Sequence, residues 1–336
     1  MRSLVIQTSF LGDVILTTPL LERLAARGPV EVVTTAATAD VLRGNPHVRA
    51  VHRLAKRGPA PGALPLGTLV RLVRAEGPDD VAYLAQGSWR SAWLARRAGY
   101  RTRVGFDTSA GRWLYTHRVR HVAGDHHAHR LRALAGSEGD GGPAVRPSVY
   151  PSAEDEAAVS ALLGGRGAGP APLIALAPGS AWATKRWPAF PALARRLQPL
   201  GEIVVVGGPG DREAARAIVE ATAGRALDAT GALTVLGSAA LLRRAAVLVT
   251  NDSAPLHLAS AVDTPTVALF GPTVPAFGFG PLAGARRIVE GPALACRPCG
   301  AHGGRACPQG HWRCMRDLPV ERVVAAVAEV RAEAEL

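Results

Sequence analysis

Residues 4–21 of the chain read LVIQTSFLGDVILTTPLL, an apolar strand, a tight turn and an apolar helix, with one carboxylate, Asp13, at the junction. This order is typical of an open α/β sheet, whose ligands bind beyond the carboxyl ends of the strands. A charge at this turn is therefore expected to face substrate. Asp is also a favoured capping residue, so capping of the following helix is the alternative function of Asp13.

The same pattern recurs about half a chain later. Residues 172–177 (PLIALA) predict a strand, residues 178–185 (PGSAWATK) a loop of small residues, and residues 187–193 (WPAFPAL) the start of a helix. Two such openings predict two similar domains. The length of 336 residues favours the same interpretation, because a single core usually stops growing below that size.

Short strands and helices alternate along the chain, which predicts parallel βαβ units. Residues 136–170 are rich in Gly and Pro around one helical patch, which is typical of a linker between domains. We therefore predict a first domain at 1–150 and a second domain at 151–336. In the first domain we predict strands at 3–7, 30–34, 48–53, 80–84 and 102–105, and helices at 14–26, 37–43, 67–75 and 88–98. In the second we predict helix 153–163, strands 173–177, 203–207, 247–251 and 266–270, and a last helix, 319–334, with five valines on one face.

The composition is that of an ordinary globular chain, with 48% hydrophobic and 20% charged residues. The net charge of +12 favours an anionic partner: nucleic acid, a phosphorylated small molecule or an acidic membrane surface. A base-composition bias in the coding DNA would explain the excess of arginine equally well. Gly12 and Asp13 interrupt the apolar N-terminus, and no stretch reaches the ~20 apolar residues of a membrane span. We therefore expect a cytoplasmic protein that can contact a membrane surface.

A second candidate site follows the predicted strand 247–251, where the sequence TNDSAPLHLA (250–259) passes directly into a helix. Unpaired backbone N–H groups at such a start can hold a phosphate, with Asp252 and Ser253 beside it. Both side chains are alternatively plain helix caps. His257 lies one turn further on and, taken alone, is more often a structural histidine than a catalyst.

A third candidate is the loop of small residues from Gly179 to Lys185. Lys185 is one of only two lysines in an arginine-rich chain, and a compact ammonium at the end of such a loop suits a diphosphate oxygen. The loop lacks the Gly-Lys-Ser/Thr pattern of a P-loop, which argues against ATP hydrolysis. The stretch 207–211 (GGPGD) also joins a strand to a helix and is a weaker signal.

All four cysteines fall in one short segment: Cys296, Cys299, Cys307 and Cys314, with His302 and His311 between them. Four thiols within about twenty residues and none elsewhere favour a structural zinc ion that holds an irregular loop. Disulfides suit a reducing cytosol less well, and free thiols are the remaining alternative.

Four motifs together resemble the lipopolysaccharide heptosyltransferases, glycosyltransferase family 9, and fit the heptosyltransferase II branch best. They are QTSFLGD (7–13), GSAWATKRWP (179–188), NDSAPLH (251–257) and GPT (271–273), and the likeness runs from Met1 to the last helix. The resemblance implies a GT-B fold, two Rossmann-like domains facing across a cleft, with the C-terminal helix crossing back to the first domain. It also implies transfer of L-glycero-D-manno-heptose from ADP-heptose to the inner core of lipopolysaccharide, with inversion and without a catalytic metal.

The resemblance assigns roles to individual residues. It makes Asp13 the general base of an acceptor-binding first domain and Lys185 the second catalytic group, which holds donor phosphates together with Thr184. It places Asp252 on the heptose hydroxyls and the Ser253 and Ala254 amides near the diphosphate. Ala254-Pro255 departs from the family pattern, which often has Gly followed by a larger residue, but proline is sterically tolerated in the first helical turn. The further residues expected at the donor are Gly12, Gly179, Ser180 and His257.

The basic and aromatic segment 105–118 is expected to recognise an anionic acceptor through Arg112, Tyr115 and Arg118, although a solvated loop is the alternative. We expect the partners to be ADP-heptose, the lipopolysaccharide inner core and the inner face of the inner membrane, with no nucleic acid and a monomeric enzyme. The alternatives are another GT-B enzyme, either a protein heptosyltransferase or a nucleotide-sugar epimerase, and a non-catalytic nucleotide-binding or nucleic-acid-binding protein. The chain lacks the aromatic basic strand of an RNA-recognition motif, which argues against nucleic acid.

Overall fold

The structure is a computed structural model that describes residues 2–56, 58, 60–74, 81–136, 145–164, 166 and 171–335. The chain divides into two compact units, Met1–Tyr150 and Pro151–Leu336. Ala75, the predicted end of a helix, and Asp80, the predicted start of a strand, lie outside the described residues. Parts of the predicted linker 136–170 lie outside them as well.

The first unit contains a parallel sheet of six strands in the order β3-β2-β1-β4-β5-β6. Its strands are β1 (Ser3–Ile6), β2 (Val30–Thr35), β3 (Ala50–Leu54), β4 (Val81–Leu84), β5 (Thr102–Phe106) and β6 (His117–Val119). Its helices are α1 (Leu11–Ala25), α2 (Ala36–Ala39), α3 (Leu66–Arg74), α4 (Trp89–Arg97) and α5 (His127–Ala133), with short 3₁₀ turns at Asp40–Leu42 and Arg112–Leu114.

The second unit repeats this arrangement, with six parallel strands in the order β12-β11-β10-β7-β8-β9. Its strands are β7 (Leu173–Ala177), β8 (Glu202–Val205), β9 (Leu227–Asp228), β10 (Val247–Asn251), β11 (Thr266–Phe270) and β12 (Arg286–Glu290). Its helices are α6 (Ala153–Leu163), α7 (Phe190–Leu197), α8 (Arg212–Ala221), α9 (Val235–Arg243), α10 (Ala254–Val262), α11 (Arg313–Arg316) and α12 (Val320–Ala334), with 3₁₀ turns at Ala183–Lys185, Gln198–Leu200, Pro209–Asp211 and Pro275–Phe277.

Both sheets are the cores of their units. Every residue of β1, β7 and β10 is buried, as expected for parallel strands covered by helices on both faces. In each sheet the first strand lies beside the fourth, so the order of strands reverses between β1 and β4 and again between β7 and β10. Ligands of doubly wound sheets bind beside such a reversal.

The last helix, α12, supplies part of the second core. Val323, Val327 and Val330 are fully buried beside α7 and the β10–β12 strands, while Val320 and Val324 pack half-buried against the same cluster. The predicted apolar face is therefore used within the second unit, and the crossing of this helix to the first unit stays a prediction.

Five elements lack the sequence signals used to find the others, and one of them is the four-residue helix α11. Strands β6 and β9 have three and two residues, β12 alternates charged and apolar residues at a sheet edge, and α5 reads HAHRLRA. Such short or polar segments form because neighbouring elements hold them. No helix among the described residues is both long and apolar enough to cross a membrane.

Candidate active site

Asn251 joins the ends of β10 and β7, the two strands between which the strand order of the second sheet reverses. This residue ends β10, and its Nδ2 donates to the carbonyl oxygen of Pro178, just beyond β7, at 2.8 Å. Its Oδ1 accepts a 3.2 Å hydrogen bond from the backbone of Trp187. One buried amide thus fixes the loop that carries Lys185 against the end of β10.

Lys185 and Asp252 form a buried ion pair at this edge. The Nζ of Lys185 lies 2.6 Å from Oδ2 of Asp252, and the two side chains are only 10% and 8% exposed. The hydroxyl of Thr273, in the loop after β11, donates to the same oxygen at 2.7 Å. Three strand ends therefore contribute to one cluster of charged and polar groups.

The helix that follows Asp252 begins with unused donors. Ser253 is the N-cap of α10, and its hydroxyl oxygen is buried with no hydrogen-bond partner among the described residues. Pro255, in the first turn, has no N–H, so the backbone donors at this helix start are those of Ser253 and Ala254. His257 is buried, and its ring meets that of Phe279 edge-on at 6.3 Å.

The loop after β7 has little room for side chains. A Cβ on Gly179 would lie 2.3 Å from the Asp211 carboxylate, which accepts a 2.9 Å hydrogen bond from Gly208. The weak GGPGD motif of residues 207–211 therefore packs directly against the predicted donor loop. The Ser180 hydroxyl accepts a hydrogen bond from the backbone of Trp182 and shapes the turn.

The cysteine loop, residues 296–314, packs on the Lys185 turn. Gly304 exchanges hydrogen bonds with Thr184, so the Thr184 hydroxyl holds this loop in the structure. A Cβ on Gly303 would come within 2.9 Å of Thr184 and 3.3 Å of Lys185. The contact of Thr184 with phosphate stays a prediction, and it would require the hydroxyl to leave Gly304.

A buried arginine organises the base of the cysteine loop. Arg297 donates to carbonyl oxygens of Gly271, Gly291 and Thr273 and lies 3.0 Å from the Glu290 carboxylate. It therefore fixes the GPT turn that presents Thr273 to Asp252. The sequence offered no signal for this function beyond its position between two cysteines.

The four cysteines are free thiols. Burial raises the pKa of Cys299 and Cys314, whereas a backbone hydrogen bond from Trp312 lowers the pKa of Cys307. Cys296 Sγ lies 3.7 Å from His311 Nε2. Across the described ranges no three His, Cys, Asp or Glu side chains are grouped as ligands for a metal ion. This arrangement does not form a ready zinc site, and the zinc ion stays a prediction.

Asp13 lies within a helix rather than in the predicted loop, because α1 begins at Leu11, three residues before the predicted start. Its Oδ2 accepts a 3.2 Å hydrogen bond from the backbone of Phe10, so Asp13 does cap the helix. Its Oδ1 faces His127 Nε2 at 3.6 Å, and both side chains are 17% exposed. The capping hydrogen bond thus uses only Oδ2 of the Asp13 carboxylate. Gly12, beside Asp13, is buried.

The predicted acceptor residues divide into two groups. Arg112 and Arg118 flank the indole of Trp113, which is 72% exposed, at 4.9 and 5.5 Å from its ring centre. Tyr115 instead packs in the core of the first unit against Gly105, and burial raises the pKa of its phenol. This position argues against a contact between Tyr115 and an acceptor.

The sequence model of glycosyltransferase family 9 (heptosyltransferase) matches residues 69–308. The chain belongs to glycosyltransferase family 9. Among curated relatives of this family 9 enzyme, lipopolysaccharide heptosyltransferase 1 of Pseudomonas aeruginosa is 31% identical over 319 residues, covering 89% of this chain and 86% of the relative. Lipopolysaccharide heptosyltransferase 2 of Salmonella typhimurium is 27% identical, covering 99% of each. The predicted family and the predicted glycosyltransferase class are confirmed.

Solved structures show the fold of the family 9 enzyme. A family 9 glycosyltransferase of Veillonella parvula has a TM-score of 0.83 at 26% identity, covering 99% of this chain and 97% of that chain. ADP-heptose lipopolysaccharide heptosyltransferase II of Escherichia coli has a TM-score of 0.79 at 24% identity and full coverage of both. These likenesses confirm the predicted GT-B fold.

Several polar residues of the family 9 site were missed or underrated from sequence. Thr273 follows a predicted strand by three residues, which is the same signal that identified Asp252. The sequence around His127 has no such signal. This residue comes close to Asp13 because helix α5 packs against helix α1.

Proposed function

We propose that this glycosyltransferase moves a heptose from ADP-heptose to the inner core of lipopolysaccharide, with inversion and without a catalytic metal ion. The observation that carries the proposal is the buried Lys185–Asp252–Thr273 cluster, beside a helix start, in a family 9 chain. The curated relatives named above are lipopolysaccharide heptosyltransferases, and a further neighbour of this fold is an E. coli heptosyltransferase with ADP.

The donor diphosphate would lie at Lys185 and the start of α10. An ammonium has three donors, and the described residues give that of Lys185 one acceptor, Asp252. The remaining donors, together with the Ser253 and Ala254 amides, can bind diphosphate oxygens. These groups stabilise the negative charge that grows on the diphosphate as it leaves, which supplies the function that a metal ion would otherwise have.

The heptose itself would be held by Asp252. Its Oδ2 is occupied by Lys185 and Thr273, whereas no described residue donates to Oδ1. A carboxylate oxygen in this state can accept hydrogen bonds from sugar hydroxyls. Because Asp252 is fixed on both sides, it would orient the anomeric carbon relative to the diphosphate.

The acceptor would be deprotonated by Asp13. In one displacement, the acceptor oxygen bonds to the anomeric carbon, the bond from that carbon to the diphosphate oxygen breaks, and the acceptor proton passes to Asp13. A single displacement inverts the anomeric configuration. Because a carboxylate is a weak base, Asp13 acts late, when the acceptor hydroxyl has become acidic. The net charge of +12 supports a protein that meets an acidic acceptor at the inner face of the inner membrane.

The test is release of ADP from ADP-heptose with a panel of truncated, deacylated core oligosaccharides. We expect release to require an acceptor, the product to carry one additional heptose of inverted anomeric configuration by NMR, and EDTA to leave the rate unchanged. Isomerised nucleotide sugar without acceptor would identify an epimerase instead. Transfer to a polypeptide but to no oligosaccharide would identify a protein heptosyltransferase.

A further inference from the structure

A partly buried histidine faces the Asp13 carboxylate on the oxygen that the helix cap does not use. The backbone N–H of Phe10 donates to Oδ2 at 3.2 Å, whereas Nε2 of His127 lies 3.6 Å from Oδ1. Both side chains are 17% exposed, so the two groups are largely withdrawn from water. Polar groups interact more strongly in such surroundings than at the open surface. The function proposed above for Asp13 makes no use of this neighbour.

The backbone of Asp13 is held firmly within α1. Its carbonyl oxygen accepts a 2.7 Å hydrogen bond from the hydroxyl of Thr17. Gln7, the residue after β1, donates to the same hydroxyl at 3.3 Å, and both of these side chains are buried. The motion left to the Asp13 side chain is therefore rotation about its own two bonds. The orientation of the carboxylate depends on the groups that donate to its oxygens.

Helix α5 carries His127 as its first residue and packs against α1. The ring of His126 caps this helix, because its Nδ1 accepts a 3.2 Å hydrogen bond from the backbone of Ala128, which is itself fully buried. Two residues past the helix, the carbonyl oxygen of Ala135 accepts a 2.7 Å hydrogen bond from the side chain of Arg27. His127 thus belongs to a packed helix, which places a functional side chain more precisely than a loop does.

The chemistry of the pair indicates which ring nitrogen of His127 carries hydrogen. An ionised carboxylate only accepts hydrogen bonds, and so does an imidazole nitrogen that lacks hydrogen. Two acceptors that face each other repel, so the position of Nε2 beside Oδ1 favours hydrogen on Nε2. A small movement then brings Nε2 into hydrogen-bond range. Hydrogen bonds between catalytic groups are often long before substrate binds and shorten in its complex.

We propose that His127 is a positioning residue for the base Asp13. Its Nε2–H group donates to Oδ1 as the Phe10 N–H group donates to Oδ2, and two donors on opposite oxygens fix the plane of the carboxylate. Each carboxylate oxygen has more than one lone pair, so Asp13 can still take the acceptor proton. His127 keeps its own proton throughout. The inference rests on the proposed function and adds the residue that orients its base.

The first test compares two substitutions of His127 in steady-state release of ADP. His127→Leu removes the donor and should lower kcat by roughly 10- to 100-fold, the cost of a misplaced catalytic group, with KM for ADP-heptose unchanged. The amide nitrogen of glutamine can replace Nε2, so His127→Gln should restore most of kcat. His129→Leu is the matched control, because this exposed residue lies about 200° further around the same helix, and it should keep wild-type kinetics.

A double variant shows whether His127 acts through Asp13. In an Asp13→Asn background, His127→Leu should cause little further loss of turnover, because the base that it orients is already absent. An equally large further loss would overturn the inference, since His127 would then act independently. A His127→Gln variant as slow as His127→Leu would also overturn it, because the ring would then have a function that an amide cannot supply.

Nuclear magnetic resonance gives evidence that does not depend on turnover. With histidine rings labelled with nitrogen-15, the neutral His127 ring of the wild type should carry its hydrogen on Nε2. Its signals are identified by their loss from the spectrum of His127→Gln. Hydrogen on Nδ1 would overturn the inference. Circular dichroism checks that the variants are folded.

Catalysis separates this inference from the proposed function. If heptose is transferred and Asp13→Asn is slow, but His127→Leu keeps the wild-type kcat, this inference fails while the proposed function stands. If no heptose is transferred, or if Asp13→Asn turns over like the wild type, the proposed function of Asp13 fails, and the inference fails with it.

Discussion

Thr184 and Gly304 lie 120 positions apart, yet three hydrogen bonds join them: Thr184 N to Gly304 O at 3.1 Å, Thr184 Oγ1 to the same oxygen at 3.0 Å, and Gly304 N to Thr184 Oγ1 at 2.7 Å. Thr184 directly precedes Lys185. The position of the donor-side lysine therefore depends on the fold of the cysteine loop.

Thr184→Val should loosen this loop and weaken binding of ADP, because the isosteric change removes the hydroxyl and leaves the Gly304 N–H without its acceptor, at a cost of about 1–3 kcal/mol. Amide hydrogen exchange over residues 296–314, with calorimetry of ADP, measures both effects. Thr184→Ser keeps the hydroxyl and should behave like the wild type. Unchanged exchange in Thr184→Val would show that the contact does not hold the loop.

Asp13→Asn separates capping from catalysis. An asparagine oxygen can still accept the hydrogen bond from Phe10, so thermal stability should change little, whereas turnover should fall at least ~100-fold through loss of the base. Asp13→Ala should abolish transfer as well, with ADP-heptose affinity largely intact in both variants. Near-normal turnover of Asp13→Asn would return Asp13 to a capping function alone.

Lys185→Met should destabilise the protein by about 3–5 kcal/mol, because it leaves the Asp252 carboxylate buried without its partner. The double variant Lys185→Met/Asp252→Asn removes both charges and should recover much of this stability. Its affinity for ADP should remain at least tenfold below that of the wild type, about 1.4 kcal/mol, since the diphosphate has lost a cation. Wild-type ADP affinity in the double variant would remove Lys185 from the donor site.

Gly179→Ala tests the close packing between the two glycine-rich loops. Its new methyl group would meet the Asp211 carboxylate, so unfolding free energy should fall by about 1–3 kcal/mol. Gly210→Ala, in the same region, meets no atom within 4 Å and serves as the control. Equal denaturation midpoints for the two variants would contradict the packing described here.

Metal analysis of the cysteine loop decides whether zinc is present. Ligation would require the thiols to move together, and we then expect zinc near one per chain and a lower thermal stability after chelation, with ADP binding retained. Elemental analysis of protein purified without chelators or a metal-affinity step gives the stoichiometry. Absence of metal, with four titratable thiols, would establish a reduced loop.

Much of the fold could be predicted because its signals are local. The strands at 173–177, 247–251 and 266–270 and the helix at 153–163 are apolar runs or capped helices, and the structure has them at those positions. A polar group directly after a strand likewise marked Asp252. Edge strands such as β12 escaped prediction because their stability comes from pairing, here with β11, rather than from their own apolar content.

Partners within the site could not be predicted, because they depend on the third dimension. Lys185 and Asp252 are 67 positions apart, and Thr184 and Gly304 are 120 apart, so neither pair leaves a pattern in the sequence. The burial of Tyr115 could not be predicted for the same reason. The residues beside it in sequence are basic and predicted an exposed segment, whereas the Tyr115 ring packs against Gly105 on β5 in the core.

The two units have hydrophobic cores made of different side chains, one around β1 and β4 and one around β7 and β10. Loss of one core does not in itself remove the other, so heat or urea is expected to unfold the chain in stages. A single melting temperature is then an incomplete description of this protein. A nucleotide that binds only the folded second unit would raise the unfolding temperature of that unit. The unfolding temperature of the first unit would stay the same and would serve as an internal reference.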